Sequence, residues 1–92
     1  MKLRIQTTNE FKNSLKRVKK RGYDIDLLIQ VVDMISNSIE LPEKYRDHRL
    51  KGEYRKYREC HIAPDWLLVY QVIEKDLILV LSKTGKHSDL FW

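Results

Sequence analysis

The sequence predicts an α+β fold in two layers: an antiparallel sheet of about four to five strands with an N-terminal helix hairpin packed on one face. Three observations predict it. Apolar residues recur at helical spacing on either side of one glycine: Phe11, Leu15 and Val18, then Leu27, Leu28, Val31, Val32 and Ile35, with Gly22 between the groups. From Tyr54 to Ile62 the period becomes two. Two late runs, Trp66–Ile73 (WLLVYQVI) and Leu77–Leu81 (LILVL), are apolar on both sides, as central strands are.

Each element has its own warrant. Lys2 to Gln6 alternates, with Leu3 and Ile5 on one side, and reads as a short strand. Thr7, Thr8 or Asn9 can cap the first helix, and Glu10 suits the positive end of its dipole. Gly22 ends that helix. Asp24 or Asp26 opens the second, whose apolar surface Met34 and Ile39 widen. Short helices around one glycine pair as an antiparallel hairpin. Leu41-Pro42 ends the helical region and Lys51-Gly52 marks a bend. From Tyr54 to Ile62 a strand places Tyr57, Glu59 and His61 on one face, and Arg58, Cys60 and Ile62 on the other. Cys60 and Ile62 suit the helix side, which leaves His61 and Glu59 on an uncovered second face. Ala63-Pro64-Asp65 turns the chain, and Glu74-Lys75-Asp76 connects a hairpin. The polar run Lys83 to Asp89 then leads into Leu90-Phe91-Trp92, whose aromatic rings either dock on the core or offer a platform for a base.

Composition narrows the function. Ninety-two residues make a single domain, 1–92, large enough to bury roughly 60–70% of its unfolded surface. With 42% hydrophobic and 34% charged residues the chain is globular, and no apolar run reaches the ~20 residues of a membrane span. The N-terminus lacks the apolar core of a signal peptide and Cys60 is the only cysteine, so the expected setting is the reducing cytoplasm. The net charge of +5 points to nucleic acid or an acidic protein as partner. Much of it is local. Lys44, Arg46, Arg49, Lys51, Arg55, Lys56 and Arg58 face only Asp47 and Glu53, and Lys83 and Lys86 add to the set. Such an excess suits RNA or ribosome binding through phosphates, although a charged, solvated edge strand has the same composition.

The chemistry this chain can carry is that of histidine. His48, His61 and His87 are far apart and no CxxC or HxxxH spacing occurs, so no metal site is expected. Cys60 alternates onto the core side, where burial makes a thiol inert. No glycine-rich phosphate loop is present. RNA, however, supplies its own nucleophile. Its 2′-hydroxyl attacks the adjacent phosphate once a base takes the proton and an acid protonates the departing 5′-oxygen. Imidazole, with a reference pKa of ~6.5, serves in either role near neutrality. Three histidines, Glu59, Asp65 and many cations are the parts for this reaction, although a histidine alone is more often a surface or structural residue.

The segment LPEKYRDHRLKGEYRKYRECHIAPDWLLVYQV, followed by LILVLSKTGKHSDLF, resembles the YafQ toxins of the RelE superfamily of type II toxin–antitoxin systems. Three blocks carry the likeness in order: D-H-x-L-K-G, R-x-C-H-I-x-P-D-W and T-G-x-H-S-x-L-F. The first half matches in pattern only. The resemblance implies a RelE-like, microbial RNase-like fold. It also implies an mRNA interferase that cuts translated mRNA in the ribosomal A site without metal or cofactor, and so inhibits translation. Carried over by motif, the catalytic residues are His48, His61, Asp65, His87 and Phe91, with Glu59 and Trp66 in support. His87 would be the general acid, and His61, tuned by Asp65, or else His48, the base. Glu59 stands where some relatives have Asp, and Trp92 extends past the usual Phe ending. The implied partners are an operon-encoded, DinJ/RelB-like antitoxin, the ribosome and mRNA, with operator DNA reached only through the antitoxin and no membrane. Two other readings remain open: a toxin of the same fold acting on a protein such as gyrase, and a non-catalytic RNA- or ribosome-binding domain.

Overall fold

A computed structural model describes residues 2–91, apart from the Phe91 side chain. Trp92, and with it the expectation for a terminal aromatic pair, lies outside the described residues. The elements are β1 (Arg4–Thr7), α1 (Asn9–Lys20), α2 (Ile25–Ser36), β2 (His48–Arg49), β3 (Arg58–Ala63), β4 (Trp66–Ile73), β5 (Ile78–Gly85) and α3 (His87–Phe91). Five strands form one sheet in the order β1-β5-β4-β3-β2. The expected two layers and helix hairpin are present.

The hairpin follows from local chemistry. Thr8 caps α1, its Oγ1 accepting from Phe11 N at 2.9 Å while its hydroxyl donates to Ser82 O at 2.7 Å, which ties the helix start to β5. At the other end Gly22 adopts φ +82, a conformation that costs a glycine little. Gly22 N then donates to Lys19 O at 3.0 Å and Tyr23 N to Val18 O at 3.1 Å, closing the helix C-terminus. Asp24 caps α2 by accepting from Asp26 N at 3.1 Å. Ser14 is small enough for α1 to lie close on β5, and its Oγ accepts from Thr84 N at 3.1 Å. Phe11, Val18, Leu28, Val31 and Ile35 bury against Cys60, Ile62, Leu68, Tyr70, Leu79 and Leu81. Each large side chain buried this way contributes about 1.5–3 kcal/mol.

Four differences from the sequence reading have physical causes. Strands β2 to β5 pair antiparallel, but β1 joins β5 in parallel, because the hairpin carries the chain across the face to the opposite edge before β2 begins. Residues 54–57 are not strand. Gly52, at φ +67, starts a 3₁₀ turn over Gly52–Tyr54, and Leu50 N donates to Tyr57 O at 3.0 Å to close the β2–β3 connection. Leu27 and Ile39 are exposed, since Leu28, Val31, Val32 and Ile35 already fill the sheet-facing side of α2. Finally, β5 continues to Gly85 and α3 folds back over the second face. There Leu90 packs with Leu67 and Val69, flanked by Leu50 and Tyr57. The face expected to be uncovered therefore has a small core of its own.

Candidate active site

Strand register gathers the chemistry on that second face. His48 lies opposite Glu59, Glu59 opposite Val69, and Val69 opposite Lys83, making one row across four strands. In the next row His61 lies opposite Leu67 and Leu67 opposite Gly85, two residues before His87. Residues facing each other in this way stand within about 4.5–5.5 Å at their Cβ atoms.

Glu59 is the centre of the cluster. Its side chain is only 8% exposed, and its Oε1 lies 3.6 Å from His48 Nε2 and 3.9 Å from His61 Nε2. Both distances are within ion-pair reach and longer than a hydrogen bond. Two imidazole nitrogens thus flank one nearly buried carboxylate. His48 is oriented from behind. Its Nδ1 is 2.7 Å from Arg46 O, and because a carbonyl only accepts, Nδ1 carries the proton and Nε2 faces Glu59. Asp65 instead stands exposed in the turn after β3 and makes no hydrogen bond with His61 among the described residues. The carboxylate beside His61 is Glu59.

His87 is the exposed first residue of α3. Five residues do not hold a helix unaided. Asp89 accepts from Lys86 N at 3.1 Å and from Arg21 Nη1 at 2.6 Å, while Lys83 Nζ donates to Leu90 O at 2.9 Å. The Arg21 guanidinium holds the Asp89 carboxyl below its ordinary range, and the acid holds the Arg21 guanidinium above its own. Phe91 ends the same helix, and its side chain lies outside the described residues.

Three expected site residues have other duties. Trp66 is buried on the helix side, its ring edge-on to Tyr23 at 4.9 Å and its Nε1 donating to Thr84 Oγ1 at 2.8 Å. It supports the turn through packing, because β4 alternation sends it away from His61. Lys83 points under α3 rather than to solvent, with its ammonium on Leu90 O and 5.4 Å from the Tyr54 ring. Arg58 faces the helix side and is paired with Asp47 at 2.9 Å. Arg46, Arg49, Lys51, Arg55, Lys56 and Lys86 are exposed as expected. Beside His61 a cleft of about 440 Å³, lined among others by Leu27, Gln30, Lys44 and Arg46, has room for a nucleotide. Burial pushes the Cys60 thiol up to about 12, so it stays protonated and inert near neutrality. The clamp on α3 escaped the sequence reading, because Lys86 is no N-cap residue type and Arg21 is 68 residues away from Asp89.

This two-layer α+β domain, with three histidines on or beside one sheet face and a rim of exposed cations, is that of a bacterial toxin of a type II toxin–antitoxin system. The chain belongs to the YafQ family, bacterial toxins of type II toxin–antitoxin systems, whose family model matches residues 3–92. An mRNA interferase toxin YafQ from Escherichia coli strain K12 is 34% identical over 88 residues, 95% of this chain and 94% of that protein. The YafQ fold in the E. coli DinJ–YafQ toxin–antitoxin complex matches with TM-score 0.89 and 30% identity over all of both chains. A metal-bound toxin from Helicobacter pylori matches with TM-score 0.91 and 44% identity, over 97% of this chain and 99% of that one. Among the described residues of this chain, no three His, Cys, Asp or Glu groups converge to hold a metal ion. No helix among them is long and apolar enough to cross a membrane.

Proposed function

We propose that this chain is an mRNA interferase, a ribosome-dependent endoribonuclease that cuts translated mRNA in the A site and thereby inhibits translation. The observation that carries this reading is the sharing of buried Glu59 by His48 and His61, with His87 opening the helix folded over the same face.

In the proposed reaction one imidazole beside Glu59 takes the proton of the 2′-hydroxyl. The 2′-oxygen bonds to phosphorus, the bond from phosphorus to the 5′-oxygen breaks, and His87 protonates that oxygen. A 2′,3′-cyclic phosphate and a 5′-hydroxyl result. Glu59 steadies the imidazolium as it forms, and exposed cations of the rim offset charge on the phosphorane. The reaction asks for no metal, because the substrate brings its nucleophile and imidazoles move both protons. By the family resemblance alone, Asp65 and Phe91 are proposed as further members of the site, Phe91 as a residue that stacks on a base. An acidic, DinJ-like antitoxin neutralises the toxin in the cytoplasm by complementing its positive charge, and operator DNA is reached only through that complex.

The test is 5′-end mapping of a translated mRNA with purified protein, with and without ribosomes, and with His87→Ala in parallel. In-frame cuts that require both the ribosome and His87 are expected. Unimpaired cutting by His87→Ala removes that residue from the mechanism. Arrest of translation without cuts replaces catalysis with binding.

A further inference from the structure

The helix side of the sheet holds a polar group that the proposed reaction does not use. Asp47 accepts from the Tyr70 hydroxyl in a short hydrogen bond, from Arg58 Nη2 at 2.9 Å and from Arg58 Nε at 3.2 Å. Tyr70 is buried, Arg58 and Asp47 are partly so, and the three lie on the face opposite His48. Burial and the Asp47 carboxylate push the Tyr70 phenol above its ordinary value, so it remains a donor at every working pH. Asp47 likewise keeps the Arg58 guanidinium charged.

The network ties β2 to β3 and β4 from the helix side of the sheet. β2 has two residues, one partner strand and no neighbour on its other side, so its own pairing holds it weakly. The peptide plane between Arg46 and Asp47 contains both the Asp47 nitrogen and the Arg46 carbonyl. That carbonyl is the acceptor for His48 Nδ1. Arg46 itself takes φ 49 and ψ 42, a left-handed conformation unfavourable for a side chain of its size, which persists only where its surroundings enforce it. Anchoring the Asp47 side chain from the far face supplies that enforcement.

We propose that Asp47, held by Tyr70 and Arg58, is a positioning residue for His48, acting through the sheet to fix the Arg46 carbonyl and with it the Nδ1–H tautomer that presents Nε2 to Glu59. Which ring nitrogen carries the proton is set by the bond the other makes, so a loosened Arg46 carbonyl releases the tautomer. The inference rests on the catalytic reading of His48, but its primary readout does not.

The experiment is long-range proton–nitrogen imidazole spectroscopy on histidine-labelled protein, wild type against Tyr70→Phe and Asp47→Asn. Tyr70→Phe removes one hydroxyl and leaves the apolar core intact; Asp47→Asn keeps the shape and removes the charge. Wild-type His48 is expected in the Nδ1–H form, and both variants should convert it to a mixture while the His61 and His87 signals stay in place. In the cleavage assay the same variants should lose roughly tenfold to a hundredfold in single-turnover rate with ribosome affinity unchanged. A His48 tautomer that stays Nδ1–H in both folded variants overturns the proposal. If wild type cuts no RNA, the catalytic reading falls, and the spectra still decide whether Asp47 positions His48.

Discussion

At the scale of single residues, the second half of this chain separates groups proposed to react from groups that hold the fold. Cys60 belongs to the second kind. Its thiol is fully buried, and burial, followed by the nearby carboxylates of Asp47 and Glu59, raises it from 9.0 to about 12. Its effect on stability has a definite sign. Between those two values the unfolded chain has released the thiol proton and the folded chain retains it. The unfolded state therefore binds fewer protons, and stability falls as pH rises through that window, by up to ~1.4 kcal/mol per pH unit. Below the unfolded value the contribution is complete. Urea unfolding at pH 7, 9 and 10.5 should give a falling midpoint, and Cys60→Ala should flatten the decline. An equal decline in that variant would assign the effect to other groups, Tyr70 first among them.

At the scale of elements, α3 shows most clearly what a sequence can and cannot say. The stripes that make α1 and α2 and the double-sided runs of β4 and β5 are periodic over many residues, so they were legible. So was the placement of Glu59 and His61 together, since a period of two allows only one arrangement of faces. Helix α3 is too short for any period, and its stability comes from Arg21 at the end of α1, Lys83 in β5 and packing of Leu90 on Leu67 and Val69. Those partners are distant in sequence, and only folding reveals them. The same holds for Lys83, which reads as one more surface cation until its strand register puts it under α3. The burial of Trp66 was hidden because β4 is apolar on both sides, so alternation could not say which face it takes.

The Arg21–Asp89 clamp gives α3 a testable weakness. The Asp89 carboxyl is lowered chiefly by its bond to Arg21, so the contribution is present above the ordinary carboxylate range and is lost as pH falls through the lowered folded value. Asp89→Ala should reproduce the loss at neutral pH. The amides of Asp89 and Leu90 should then exchange about fivefold faster, matching a lost cap of ~1 kcal/mol, while β4 amides stay protected. Cleavage should slow with them if His87 is the acid. Unchanged exchange would leave Leu90 and Lys83 as the sufficient anchors.

At the scale of the whole molecule, the sheet separates two kinds of work. Its helix side carries the main core and the Asp47–Arg58–Tyr70 network, and its second face carries His48 and His61 beside a small core of Leu67, Val69 and Leu90. The net charge of +5 is distributed over both, so counting cations does not say which of them are open to a partner. Exposure does. Arg46, Lys51, Arg55 and Lys56 are free to reach phosphates, whereas the Arg58 guanidinium is held by Asp47 and the Lys83 ammonium by Leu90 O. Ribosome affinity should therefore fall linearly on a log–log scale with salt. Each RNA phosphate neutralised adds a slope of about −0.7. Lys56→Ala or Arg55→Ala should make the slope shallower by about that amount and leave the unfolding midpoint nearly unchanged. Lys83→Met should do the reverse, lowering the midpoint while the slope stays put. If Lys83→Met instead flattens the slope, the lysine leaves α3 to bind RNA, and the helix opens when the ribosome is engaged.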